Sequence, residues 1–205
     1  METRNNILSF PRSDNERFDA AANLYSTGKY SAALKEAIIL IDEGYGHANT
    51  LAGVIYEKGD DDVEQDYGRA KFYYQMAVDT VGAAEGWLAL GRLHFFGKGM
   101  QPDYEKAFYY YSVVDQDSKN GNIVAYLMLG QMYLGGKGVA KDLWKARDYF
   151  SKAANKGSVF ALTYQGLLEK ECGNFFKSLW LRLRAAYRAF VITRRNPTDV
   201  RLRRA

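Results

Sequence analysis

The chain has one cysteine, Cys172, and two histidines, His47 and His94, so several kinds of chemistry are short of parts from the outset. A single thiol cannot build an intramolecular disulfide framework and fits a reducing compartment. The two histidines show no metal-ligand spacing, and no Ser–His–acid or Cys–His arrangement can be assembled around them. Neither a metal nor a cofactor is expected, and no catalytic residue is nominated. No apolar run of about 18 residues occurs, so no bilayer-spanning helix is expected. The opening METRNNILSFPRSDNERF has no apolar stretch of signal-peptide length. For a chain that begins at its natural Met1, these features together predict a cytoplasmic location.

With 205 residues, 47% of them hydrophobic and 25% charged, the chain has enough apolar material for a core without staples. Its charge is uneven. Residues 180–205 hold eight arginines against the single acid Asp199, while the first 179 residues carry a net −3. The sequence describes a mildly acidic body with a basic end.

The positive content is a repeat. Residues 91–112, GRLHFFGKGMQPDYEKAFYYYS, recur 39 positions later as GQMYLGGKGVAKDLWKARDYFS. Gly91 aligns with Gly130, Gly97 with Gly136, Gly99 with Gly138, Asp103 with Asp142 and Ala107 with Ala146. Gly53, Tyr56, Gly59, Asp66 and Ala70 form a third copy, and Gly166, Asn174 and Ser178 a fourth. A weaker one opens the chain, with Ala22, Gly28 and Ala33 in register. A period of this length predicts a stack of helical hairpins.

Each copy places a small residue inside a first helix, where glycine costs about 1 kcal/mol, and the close approach of a neighbouring helix backbone would offset that cost. A glycine turn follows. Asp66, Asp103, Asp142 and Asn174 then stand where a side-chain oxygen can cap a second helix. That second helix alternates alanines with aromatics, as in Ala107, Tyr110, Tyr111 and Ala146, Tyr149, Phe150, Ala153. The expected fold is all-α: an α–α superhelix, or solenoid, of about five hairpin repeats and ten helices. The repeats are placed at 19–46, 47–82, 84–121, 123–157 and 159–192. They form one domain over 14–192, between a flexible segment at 1–13 and a basic tail at 193–205.

Residues 125–157 carry Ala125, Leu129, Gly130, Tyr133, Gly136, Gly138, Val139, Asp142, Lys145, Ala146, Tyr149, Phe150, Ala153, Ala154 and Gly157. This pattern resembles the Sel1-like repeat, a relative of the tetratricopeptide repeat. The resemblance covers roughly residues 19–190. It implies a helical solenoid that acts as an adaptor in signalling or membrane-associated complexes. Some secreted, cysteine-rich members bind or hydrolyse β-lactams, but this chain lacks their paired cysteines.

Several local features read as architecture. The Gly-Lys-Gly triplets at 97–99 and 136–138 lack the strand and the Ser/Thr ending of a phosphate loop, so they are expected to be turns. The acidic run Asp60, Asp61, Asp62, Glu64, Asp66 lacks the glycine and glutamate of a calcium loop. A solvated loop with Asp66 as cap is expected instead. His94, aligned with Tyr56 and Tyr133, is expected in a helix interface, and Cys172 as a small buried filler.

Recognition must then fall to positions that vary between copies. These are Asn49, Trp87, Tyr126 and Leu162 on the first helices, then Leu51, Ala89, Met128 and Tyr164, then Arg92 and Gln131. Trp, Tyr and Arg are the residue types most often found as binding hot spots. Trp87, Arg92, Tyr126, Gln131, Met128 and Tyr164 are therefore expected to contact a protein or peptide partner on the concave face. The implied protein is a non-catalytic adaptor or scaffold, or, more narrowly, a bacterial regulator or immunity-type inhibitor of one partner.

The last helix gives an alternative. Phe175, Phe176, Leu179, Trp180, Leu183, Ala186, Tyr187, Phe190 and Val191 fall on one arc about 160° wide. That arc is expected to dock on the preceding helix, with Lys177, Arg184, Arg188, Leu181 and Ile192 outward. Together with Arg194, Arg195, Arg201, Arg203 and Arg204, this basic surface would let the protein lie on an anionic membrane, at its inner face. A specific nucleic-acid role is disfavoured, since the acidic body would repel the polymer.

Overall fold

A computed structural model of the protein describes residues 13–117 and 121–196. Among these residues there are ten α-helices and no strand, arranged as five hairpins. The first two are α1 (Asp14–Ser26) with α2 (Tyr30–Asp42) and α3 (Ala48–Lys58) with α4 (Tyr67–Val81). The next two are α5 (Ala84–Phe96) with α6 (Tyr104–Asp117) and α7 (Ile123–Gly135) with α8 (Leu143–Asn155). The fifth joins α9 (Val159–Glu171) to α10 (Phe175–Arg195). The expected segment 1–13 lies outside the described residues except for Ser13, which caps α1 in a reciprocal pair with Glu16. Arg201, Arg203 and Arg204 also lie outside them.

The chain divides after Gly86 into two compact units. In the first, Ala21, Ala33, Ala37, Leu51, Ala52 and Ile55 form a buried cluster. In the second, Phe95, Ala107, Tyr111, Met128, Leu129 and Met132 form one cluster, and Leu127, Phe150, Ala153, Ala161 and Leu168 another.

One backbone hydrogen bond sets the register of every hairpin. The amides of Asp66, Asp103, Asp142 and Asn174 donate to the carbonyls of Tyr56, His94, Tyr133 and Glu169 at 2.8–2.9 Å. Lys29 donates to Leu24 in the same way, at 2.9 Å. This bond places Ala21, rather than the expected Ala22, at the small-residue position of the first hairpin, and Ala21 is fully buried. The turn after α7 needs glycine, because Gly136 closes the helix at φ 63°.

The same register explains the helical glycines. A Cβ on Gly53 would lie 2.6 Å from the ring of Tyr74; on Gly91, 2.9 Å from Tyr111; on Gly130, 2.5 Å from Phe150. All three rings sit at one position of the second helix and are fully buried. The sequence suggests a close-approaching backbone, but in these three hairpins a ring takes the space. Burying such a ring contributes about 1.5–3 kcal/mol, more than the helical glycine costs. The first hairpin solves the same problem with Ala21 and Ala37, both buried.

Asp66, Asp103 and Asp142 cap α4, α6 and α8 as expected, their carboxylates accepting from backbone amides at 2.8–3.0 Å. Asn174 does not cap α10. Its amide group donates instead to Glu169 Oε2 at 2.8 Å. In the acidic loop, Asp60 accepts from the amides of Asp62 and Val63, which closes the turn from within.

Candidate functional site

The positions at which the repeats differ in chemistry and stay at least partly exposed are the candidates for recognition. The position directly after the small residue carries Arg92, Gln131 and Leu167 on α5, α7 and α9. Arg92 and Gln131 are half-buried and Leu167 is exposed. Leu167 was missed by the sequence reading, although its register identifies it.

Three expected contact rings are held partly in helix packing and are half-buried. Trp87 lies 5.6 Å from the ring of Tyr110 and 6.2 Å from that of Tyr109. Tyr126 lies 6.1 Å from Tyr149, and Tyr164 stacks on Phe150 at 5.3 Å. Each keeps one edge in the fold. Met128 does not belong with them, because it is 1% exposed and belongs to the core between helices. Asn49, Leu51, Ala89 and Leu162 are buried too. Variation between copies at these positions therefore tracks local packing, since neighbouring hairpins are filled by different combinations of side chains.

A second recurring contact surrounds the turn. The cation three residues after the capping position covers the aromatic ring at the end of the first helix. Arg69 lies 5.3 Å from the Tyr56 ring and Lys145 5.1 Å from Tyr133. In the last hairpin the ring is replaced by Glu169, and Lys177 pairs with its carboxylate at 2.9 Å. Arg147 reaches the same oxygen at 3.1 Å. Burial pushes the Glu169 carboxyl upward, but the bonds from Lys177 and Asn174 and the nearby Arg147 outweigh it and hold it below the ordinary carboxylate range. Burial likewise raises the Tyr149 phenol, which donates to Asp115 Oδ2 at 2.9 Å. Tyr111, buried beside Gly91, is also raised. His94 is buried against Tyr110, with ring centroids 5.5 Å apart, as its alignment predicts. Cys172 is exposed rather than buried, because it is the capping residue where α9 gives way to the Gly173 turn. Among the described residues no group of three or more His, Cys, Asp or Glu side chains is placed to hold a metal ion.

The last helix reverses its expected orientation. Ser178, Leu181 and Ala185 face α9 and are buried, with Ala189 and Ile192 packed beside them. The aromatic arc faces outward: Phe176 is 85% exposed, Tyr187 69%, and Phe175, Leu183, Phe190 and Trp180 more than half exposed. The reason is again register. Ser178 occupies the position of Ala70, Ala107 and Ala146, and this row of small residues lets a second helix approach its first. Against Gly166 the contact is backbone, since a Cβ there would lie 3.0 Å from the Ser178 carbonyl oxygen and 2.8 Å from Arg182 Cγ. Apolar content alone favours the other face, but its bulk could not approach α9 so closely.

Two open grooves accompany these surfaces. One of about 540 Å³ runs between the turn after α8 and the end of α10, where Asn155, Tyr187, Arg188, Ile192 and Arg195 line it. Another of about 320 Å³ lies in the first unit among Lys35, Tyr56, Asp62, Glu64 and Arg69. Arg184 covers the ring of Trp180 at 5.2 Å. No described helix is long and apolar enough to cross a membrane.

The sequence matches the Sel1 repeat over residues 46–79, 86–112 and 123–158, the same hairpins in which glycine or capping aspartate recurs. The chain is a Sel1-repeat protein. Among solved structures, the Sel1-repeat chain is similar to a Sel1 repeat protein from Oxalobacter formigenes, with a TM-score of 0.70 and 22% identity over 85% of this chain and 71% of that one. It is also similar to PilF of Pseudomonas aeruginosa (TM-score 0.66, 14% identity, 92% of this chain and 94% of that one). A further similarity is to MamA, with a TM-score of 0.62 and 15% identity over 85% and 96% of the two chains. At these identities the likeness establishes the helical-repeat solenoid class of the Sel1-repeat protein and nothing finer. Folds of this class generally serve as scaffolds for protein–protein interaction.

Proposed function

We propose that this Sel1-repeat protein is a non-catalytic adaptor that binds a protein or peptide through the first helices of its second unit. The observation that supports this reading is the row formed by Arg92, Gln131 and Leu167, which differ in chemistry at one repeat position and remain at least partly open to solvent. The neighbouring repeat positions are consumed by Gly–ring packing, caps and cation–ring contacts. Trp87, Tyr126 and Tyr164 contribute the solvent-facing parts of their half-buried rings, and Met128, in the core, accepts from the Gln131 side-chain amide at 3.8 Å. Recognition by an arginine flanked by aromatic edges suits a partner segment that combines an acidic residue with apolar ones.

The test is retention of a partner from native cells by the immobilised chain. Arg92→Ala with Gln131→Ala, two substitutions that remove no ring from the packing, should release the partner. Trp144→Ala, at an exposed site on α8, should retain it. Full retention by the Arg92, Gln131 variant, with thermal unfolding unchanged, would move the interface elsewhere.

A further inference from the structure

α10 has an arrangement that the other nine described helices lack. Taking about 100° per residue, the docked residues Ser178, Leu181, Ala185, Ala189 and Ile192 share one side. Directly opposite, Phe175, Phe176, Leu179, Trp180, Leu183, Tyr187 and Phe190 span an arc of about 140°. All seven of these large side chains are exposed. Contiguous apolar surface of this kind on a soluble face marks an interaction site rather than incidental exposure.

The charges sort themselves around that arc. Lys177, Arg184, Arg188 and Arg195 lie along one flank of it and Arg182 along the other, with Arg194 at its far end. No acidic residue occurs between Glu171 and Asp199. At about 1.5 Å per residue, the 21 residues of α10 make a rod about 32 Å long. One side is fixed to α9, the opposite side is aromatic and aliphatic, and arginines form the rims.

We propose that the outer face of α10 is a membrane-surface anchor that lies in the plane of an anionic lipid leaflet. Its rings enter the boundary between headgroups and acyl chains, and the flanking arginines reach the lipid phosphates. Trp and Tyr favour that boundary because each joins an apolar body to a polar tip. Lys and Arg near an anionic leaflet each add about fivefold to binding. Six cations on the helix argue against a bilayer-spanning role. They also argue against a second copy as the occupant, because two such helices face to face would bring arginine rims together with no carboxylate on either helix. The groove beside Arg188 and Arg195 leaves room for a headgroup at the rim. This anchor is independent of the first-helix row, so an adaptor could be held at a membrane while its partner face stays open.

The experiment is sedimentation of the full chain with vesicles of equimolar phosphatidylcholine and phosphatidylglycerol, compared with phosphatidylcholine alone. Binding is expected to the anionic vesicles at low salt and to weaken as salt is raised. Arg184→Glu with Arg188→Glu should reduce it by about tenfold or more. Phe176→Ser, Trp180→Ser and Leu183→Ser together should abolish it, and Trp144→Ser should leave it intact. In a Trp87→Phe, Trp144→Phe background, Trp180 reports directly, and its emission should shift to the blue on binding, with no dependence on whether the serine variant folds. A chain that stays in the supernatant, that binds phosphatidylcholine equally well, or that binds without a Trp180 shift would overturn the proposal. So would a dimer in solution that the triple serine variant converts to monomer while anionic vesicles leave it intact.

Discussion

The hairpins α3–α4, α5–α6 and α7–α8 and the final hairpin α9–α10 share one backbone plan and spend it differently. In the first three, a helical glycine receives a buried ring, a capping aspartate starts the second helix, and the outer face is largely polar. In the last, Gly166 faces Arg182 and the backbone at Ser178, Asn174 turns its amide to Glu169, and the aromatics face outward. The closing hydrogen bond from the 174 amide to the 169 carbonyl, at 2.8 Å, is nevertheless the one found in every other copy. Repeat register therefore decides which face docks, and composition decides what the free face can do.

The largest effect expected from this contrast comes from substitution at equivalent ring positions. Phe150→Ala empties a fully buried site between α7 and α8 and should cost about 3–5 kcal/mol. Arg182→Ala, at the same repeat position on an exposed stretch of α10, should stay within about 0.5 kcal/mol. Chemical denaturation of both variants checks this, and equal losses would mean that the register of the last hairpin is misaligned.

Next in size is the reversed face of α10. Leu181→Ala removes a side chain that is 7% exposed and packed on α9, at a cost of about 2–3 kcal/mol. Leu183→Ala, two residues on and exposed, should change stability by less than about 0.5 kcal/mol. The opposite ranking would restore the orientation that the apolar arc suggests.

This reversal shows how far the sequence is legible. Gly91, Gly130 and Asp142 name themselves because glycine and aspartate each do one job at a fixed place in a hairpin, and the five hairpins follow from their spacing. Ser178 carries the same information for α10. A serine among phenylalanines and tryptophans contributes little to a hydrophobic pattern, so the pattern points to the wrong side. Met128 fails for a related reason. It differs from Leu51, Ala89 and Tyr164, but the difference compensates for packing around it and does not face a partner. The shared position of Arg92 and Gln131 is readable because it lies one step from a glycine whose environment is fixed, and the same step reaches Leu167. What the structure adds is that all three side chains are at least partly exposed.

Capping gives a smaller contrast. Asp142 accepts from the amides of Trp144 and Lys145, each at 3.0 Å, so Asp142→Ala should destabilise by about 1 kcal/mol. Asn174→Ala removes no cap and should cost less, through the lost bond to Glu169. Thermal midpoints measured side by side would separate the two.

The smallest effect concerns acid. Lys177, Asn174 and Arg147 hold the Glu169 carboxyl below its ordinary range in the folded chain, against the opposing pull of burial. The folded state therefore binds fewer protons than the unfolded one near the ordinary carboxylate pKa of about 4.3. The resulting stability is fully present above that value and is lost as pH falls through it toward the folded pKa. Lys177 and Arg147 are both more than a third exposed, so solvent screens the pair and the contribution should stay below about 1 kcal/mol. Glu169→Gln should flatten the acid limb of the stability curve while keeping the neutral-pH fold. The Asp103 carboxyl, lowered by the Lys106 backbone amide and side chain, should still contribute to that limb. A wild-type curve and a Glu169→Gln curve that superimpose between neutral pH and the onset of acid unfolding would show that the last hairpin, unlike its cation–ring counterparts, draws no stability from replacing a tyrosine with a carboxylate.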